Sequence, residues 1–214
     1  SLEATVGGIG QGSVLDVTAT TELNADTDAG DDGNIAIDSI GDATVGLVDA
    51  GAGDVTLDST GDIDSTTDDG TADVEGATVN LVAAANGIGQ GSVLDVTATT
   101  QLNADTDTGD DANIAIDGIG ATPVGVITAG AAGGDIELDS TGAISDTNNG
   151  VASIIGTDAI LRSDGGVGSG TTNGATDLET SVSNLDVSNQ NSGAIVIAND
   201  VGGLLTVTDL DSDS

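Results

Sequence analysis

Short runs in which apolar residues alternate with polar or small ones recur along the whole chain: Leu15-x-Val17, Ile35-x-Ile37, Val45-x-Leu47, Val55-x-Leu57 and Val79-x-Leu81. A period of two sends successive side chains to opposite faces of an extended backbone, so each run predicts a strand of about three to five residues with one buried face. Gly and Asp interrupt every run, as in DAGAGD, STTDDG and NADTDAGDDG. No window carries the apolar stripe and cap of a helix. The pattern predicts an all-β chain.

The runs belong to repeats. Gly8 to Gly41 returns at Gly87 to Gly120, displaced by 79 residues, with 30 of 34 positions identical around IGQGSVLDVTATT, LNADTD, GDD and NIAID. A looser likeness links GDVTLDSTGDI (Gly53 to Ile63) with GDIELDSTGAI (Gly134 to Ile144), and Ala194-Ile195-Val196-Ile197 with Asn34-Ile35-Ala36-Ile37. The expected organisation is one segment, residues 1–214, of a longer array, with copies near residues 8–86, 87–165 and 166–214. Leu15, Ile35, Val55, Val79 and Leu94 are 20, 20, 24 and 15 residues apart, which divides a copy into four units averaging about 20. A unit of that length with two or three short strands and glycine corners predicts one coil of a parallel β-helix, and the chain length then predicts roughly 10–11 coils. An antiparallel sandwich of tandem domains is the competing all-β arrangement, but strands this short make a poor sandwich core.

Composition supports the coil. The chain has no Phe, Tyr, Trp, Met, Cys or His, and its apolar residues, 37 % of the total, are all Ala, Val, Ile and Leu. A narrow lumen of constant cross-section is filled by stacked aliphatics, whereas one aromatic would force the residues above and below it to shrink. Charge then limits the partners. Arg162 is the single basic residue against 37 acidic ones, for a net charge of -36. Nucleic acid and anionic membrane surfaces both require cationic side chains, so neither is expected as a partner. No apolar run approaches the ~20 residues of a spanning helix, so membrane insertion is not expected either. Thiolate, zinc-thiolate and imidazole chemistry have no residues to run on. Polysaccharide-cleaving β-helices use a basic side chain or aromatic sugar platforms, and the chain is therefore not expected to be an enzyme.

Ten or eleven coils at ~4.8 Å make a rod of ~50 Å with about one net charge per 1.4 Å, close to duplex DNA at about one per 1.7 Å. Such a rod needs a saline medium or bound divalent ions. The candidate ligands are Asp26, Asp28, Asp31 and Asp32 in NADTDAGDDG, and Asp105, Asp107, Asp110 and Asp111 in its second copy. Alternating Asp near Gly can wrap oxygens around Ca²⁺ at about 2.4 Å, which makes Ca²⁺ the candidate cofactor of a fold that requires none. The match to a helical calcium loop is poor, since Ala29 and Thr108 occupy its glycine position and its terminal Glu is missing. A solvated acidic corner that blocks aggregation is the alternative for these loops. Arg162 reads as a surface ion pair or as a stem packed beside Ile160.

The strings GDVTLDSTGDI, EGATVNLVAAANGIGQGSVLDVTATT and GGDIELDSTGAI resemble the repeats of filamentous-haemagglutinin-like exoproteins, bacterial β-helical adhesins exported by two-partner secretion or autotransporter routes. The resemblance covers essentially the whole chain and rests on scaffold residues. It implies an extracellular or cell-surface fibre used in adhesion, with an outer-membrane secretion partner. The chain departs from the family in its extreme acidity and in showing neither the amino-terminal secretion domain nor an adhesive tip. The expected function is a stalk, filament body or adhesin shaft whose partners are further copies of its own repeat. The alternative is a Ca²⁺-dependent or self-assembling fibre module.

Overall fold

The computed structural model describes residues 1–27, 32–106, 111–130, 132–148, 150–169, 177–200 and 204–212. Its named elements are all strands. The first seven are β1 (Leu2–Ala4), β2 (Leu15–Val17), β3 (Leu23–Thr27), β4 (Ile35–Ser39), β5 (Ala43–Asp49), β6 (Val55–Ser59) and β7 (Ile63–Ser65). Two longer ones follow, β8 (Val74–Ala83) and β9 (Leu94–Asp105), and then β10 (Ile114–Gly118), β11 (Thr122–Thr128), β12 (Ile136–Ser140) and β13 (Ile144–Asp146). The last are β14 (Ile154–Ile155), β15 (Asp158–Ser163), β16 (Leu178–Ser181), β17 (Asn184–Asn189), β18 (Ile197–Asn199) and β19 (Thr206–Ser212).

Every pairing between these strands is parallel, and together they form a β-solenoid. One wall runs from β2 through β4 and β6 to the carboxy-terminal halves of β8 and β9, then to β11, β14, β16 and β18. A second wall runs from β1 through β3 and β5 to the amino-terminal parts of β8 and β9, then to β10, β12, β15, β17 and β19. Single bridges such as Ile63 to Ile88 and Ile144 to Val167 add narrower strips between them.

The coil is longer than the anchor spacing implies. The solenoid makes about 8 turns of about 23 residues, in place of 10–11 turns of about 20. The reason lies in which anchors stack. Leu15 pairs with Ile37 and not Ile35, and Val79 pairs with Leu102, while Leu94 pairs with Ile116 on the other wall. Because β9 carries two apolar stretches in one strand, the 15-residue step from Val79 to Leu94 crosses between walls and is no coil at all. A copy of 79 residues therefore spans about three and a half turns of about 23, so equivalent residues of successive copies fall on different walls.

Interior columns follow directly from the register. On the first wall Ile37, Leu57, Leu81, Ala104 and Ile127 stack in sequence, and on the second Leu94, Ile116, Leu138, Leu161 and Val187 do the same. None of these ten is more than 1 % exposed. Fully burying a Leu or Ile contributes about 2 kcal/mol, so a handful per coil outweighs the repulsion between neighbouring surface charges. The ends of the columns are closed by hydroxyls that serve the turns. Ser59, Ser140 and Ser163 each bond a nearby carbonyl and accept from the N–H of the glycine two residues on, Gly61, Gly142 and Gly165. That geometry accounts for the Ser-x-Gly at the ends of β6, β12 and β15. In the IGQG corners Gly10 and Gly89 have φ of 72° and 69°, and a Cβ there would collide with the carbonyl oxygens of Ala36 and Ala115 one coil away.

Leu57 is wholly buried between Ile37 and Leu81, whereas Leu47 is 40 % exposed. Leu57→Asp is expected to remove several kcal/mol of stability, on the order of 4, because an unpaired carboxylate enters the lumen. Leu57→Ala should cost about 2–4 kcal/mol and Leu47→Ser less than about 0.5. Denaturant titration followed by circular dichroism measures the three, and a Leu57→Asp curve matching that of the parent contradicts the stacked interior.

Candidate functional site

The described residues of the two acidic loops singled out in the sequence do not come together. Asp28, Asp31, Asp107 and Asp110 lie outside the described residues. Asp26 is exposed near the end of β3 and continues an outer column through Asp49 and Glu75 to Thr97, early in β9. Asp105 ends β9 on the other wall, between Val82 and Thr128. Asp26 and Asp105 thus sit on different walls and do not share a face. Asp32 and Asp111 both adopt left-handed backbone, with φ of 45° and 46°, and the Asp32 carboxylate accepts from the Ala52 N–H at 3.1 Å. A threonine closes each loop: Thr27 Oγ1 donates to the Gly33 carbonyl at 2.9 Å, and Thr106 Oγ1 to the Ala112 carbonyl at 2.6 Å.

The structure assembles a different acidic group. Outside the second wall, Asp95, Asp117, Asp139 and Arg162 occupy successive rungs of one column, immediately beside the interior Leu94, Ile116, Leu138 and Leu161. One coil earlier, Asp73 stands before β8 and accepts the Asp95 N–H at 2.9 Å. The connection from β7 to β8 carries the STTDDG string and lies over this column. Ser65 Oγ fixes it by bonding the Asp73 carboxylate at 2.8 Å and the Thr67 carbonyl at 2.7 Å. The Gly70 N–H then reaches Asp95 Oδ2 at 3.0 Å. Covered in this way, Asp95 has no exposed surface, and its Oδ1 takes no hydrogen bond. Asp68 on the connection, Asp95 and Asp117 bring one carboxylate oxygen each within 4.8 Å of one another. An open groove of about 260 Å³ continues from there past Asp139 to Arg162.

Electrostatics along the column change from rung to rung. Burial pushes the Asp95 carboxyl up, opposed by backbone hydrogen bonding from Gly70 and Asp69 and reinforced by the charges of Asp68 and Asp69. Burial also raises Asp73 to about 6. Asp117 is pushed to about 6, first by burial and then by the charges of Asp139, Asp95 and Asp68. At Asp139 burial dominates, and Arg162 pulls back by hydrogen bond and charge. Arg162 bonds Asp139 at 3.0 Å and also pairs with Glu137, so the one basic side chain bridges two coils in the surface ion pair expected of it.

Stacked parallel coils with an aliphatic lumen and charged outer columns define the class: an acidic β-solenoid repeat protein. No family model, curated protein or solved structure matches the chain.

Two measurements probe this column. In the unfolded chain Asp73 and Asp117 titrate near 3.8, and in the folded one near 6. Their contribution to stability is present in full below about pH 4 and is lost as pH rises through about 6, because the unfolded chain releases the protons more readily. With chelator present, unfolding free energy should fall by on the order of 2 kcal/mol from about pH 5 to pH 7.5, after allowance for solvent screening at Asp117. A flat or rising profile contradicts the burial of these carboxyls. Arg162→Met keeps the stem and removes the charge that faces Asp139 and Glu137. It is expected to cost about 1 kcal/mol at low ionic strength and less in about 1 M NaCl, as read from paired melts.

Proposed function

We propose that the chain is a structural rod, the stalk, filament body or adhesin shaft of an extracellular or cell-surface protein. The observation that carries this reading is the continuity of the second wall, which stacks strand on strand from Leu2 to Ser212. A scaffold that advances ~4.8 Å per turn sets distance between what lies at its two ends. Its side chains offer no imidazole, thiol or amine, and the reading is non-catalytic. The resemblance to filamentous-haemagglutinin-like repeats supports the extracellular setting, adhesion and an outer-membrane secretion partner. About 8 turns give a length of roughly 38 Å, and the net charge of -36 then amounts to about one per 1.1 Å, a density that resists lateral association and favours a saline medium.

The partner in this reading is a further copy of the same coil, in the same chain or another. Leu15, Val207 and Leu210 are 36 %, 50 % and 63 % exposed in the outermost coils, while their stacking partners Ile37, Leu185 and Val187 are covered. Duplicating the segment in tandem tests the rod. Small-angle X-ray scattering in high salt should show the maximum dimension growing by roughly 40 Å at constant cross-sectional radius. A doubled cross-section at unchanged length overturns the reading.

A further inference from the structure

We propose that Asp68, Asp95 and Asp117 form a binding site for one Ca²⁺ ion that fastens the β7–β8 connection to the strands of the following coils. The group contains none of the candidate aspartates of the NADTDAGDDG loops and draws on three separate stretches of chain. Two observations carry it. Carboxylate oxygens of the three residues lie within 4.8 Å of one another. Independently, Asp95 is completely buried, and its Oδ1 accepts no hydrogen bond although its partner oxygen is held by the Gly70 N–H. A buried carboxylate with an unsatisfied oxygen beside two other acids lacks a positive counterpart.

Arg162 does not supply that counterpart, since it is engaged by Asp139 and Glu137 one rung beyond Asp117. The donors are all hard oxygens, the set that Ca²⁺ prefers at about 2.3–2.6 Å, and oxygens on opposite sides of such an ion stand about 4.8 Å apart. Asp68 is exposed, so the outward side of the site is open to the waters that complete a shell of about six to eight oxygens. The ion would act as a clip: the connection is otherwise tied down by Ser65, Asp73 and Gly70.

Titration calorimetry of the whole chain with CaCl₂, in buffer at fixed ionic strength of about 0.15 M, tests the site against diffuse condensation on an acidic rod. One saturable Ca²⁺ per chain is expected, with a Kd between about 10⁻⁵ and 10⁻³ M. Asp117→Asn and Asp95→Asn should each weaken it at least about tenfold. Asp16→Asn, which removes the same charge from an exposed position on the other wall, should change it by less than about twofold. Chelator should lower the melting temperature of the parent and leave that of Asp117→Asn unmoved. A strand spectrum by circular dichroism establishes that each variant is folded, and Asp117→Asn decides the matter if Asp95→Asn is not. Equal losses in all three variants, no saturable binding, or loss of the ion only on replacing Asp32 and Asp111 would each overturn the proposal. It depends on the coil geometry and stands or falls separately from the rod's biological role.

Discussion

Along the paired strands, the described lumen side chains stack on those of the turns before and after, because the strands pair in parallel with the strand one turn away. The lumen accordingly has to keep nearly the same cross-section from turn to turn. Leu57 can sit between Ile37 and Leu81 because all three occupy similar volume. Where this column narrows at Ala104, between Leu81 and Ile127, the change is to a smaller aliphatic. The same constraint explains the absence of aromatic rings. Buried hydroxyls such as those of Ser59, Ser140 and Ser163 sit at strand ends, where they can reach turn carbonyls and glycine N–H groups.

Register that stacks like on like inside must also stack like on like outside. Asp38 lies against Asp58, and Asp95, Asp117 and Asp139 follow one another at the strand spacing. Two unit charges ~4.8 Å apart repel by roughly 0.9 kcal/mol in water, and by several times that where solvent is excluded. The aliphatic columns win because each coil buries several residues worth about 2 kcal/mol apiece. Burial first, and this repulsion behind it, raises carboxyl pKa values, most where the β7–β8 connection excludes water from Asp73 and where Asp117 faces Asp139, Asp95, Asp68 and Glu137. Arg162 relieves a single place on that column.

The all-β class and the parallel coil were legible in period-two runs, glycine corners and the missing aromatics, since each of these is local or compositional. Coil length was not, because alternation shows that Leu94 is buried without showing which wall it faces. The acidic group at Asp95 was missed for the same reason. Asp68 lies 27 residues before Asp95 and Asp117 lies 22 after it, and the three meet only when turns of about 23 residues are stacked. A usable signal was present in Leu94-Asp95, Ile116-Asp117 and Leu138-Asp139, an apolar-Asp pair recurring every 22 residues, with Leu161-Arg162 following 23 later. The NADTDAGDDG loops drew notice instead because their acids are adjacent in sequence. Adjacency in a solenoid, however, runs around the circumference, whereas ligand sets can also be built along the axis.

The mismatch between a 79-residue repeat and a turn of about 23 has a further physical effect. Had a copy spanned a whole number of turns, each acidic loop would stand over its predecessor and the rod would carry charged stripes along one side. A spacing near three and a half turns sends Asp26 and Asp105 to different walls, which distributes the charge around the rod. It also makes identical strings behave differently. GSVLDVTATT occurs at both Gly12 and Gly91, yet Asp16 is exposed while Asp95 is sealed, because only Asp95 has the STTDDG connection of a preceding coil across it. What an aspartate does in this protein is therefore decided by the turn beside it and not by the repeat it belongs to.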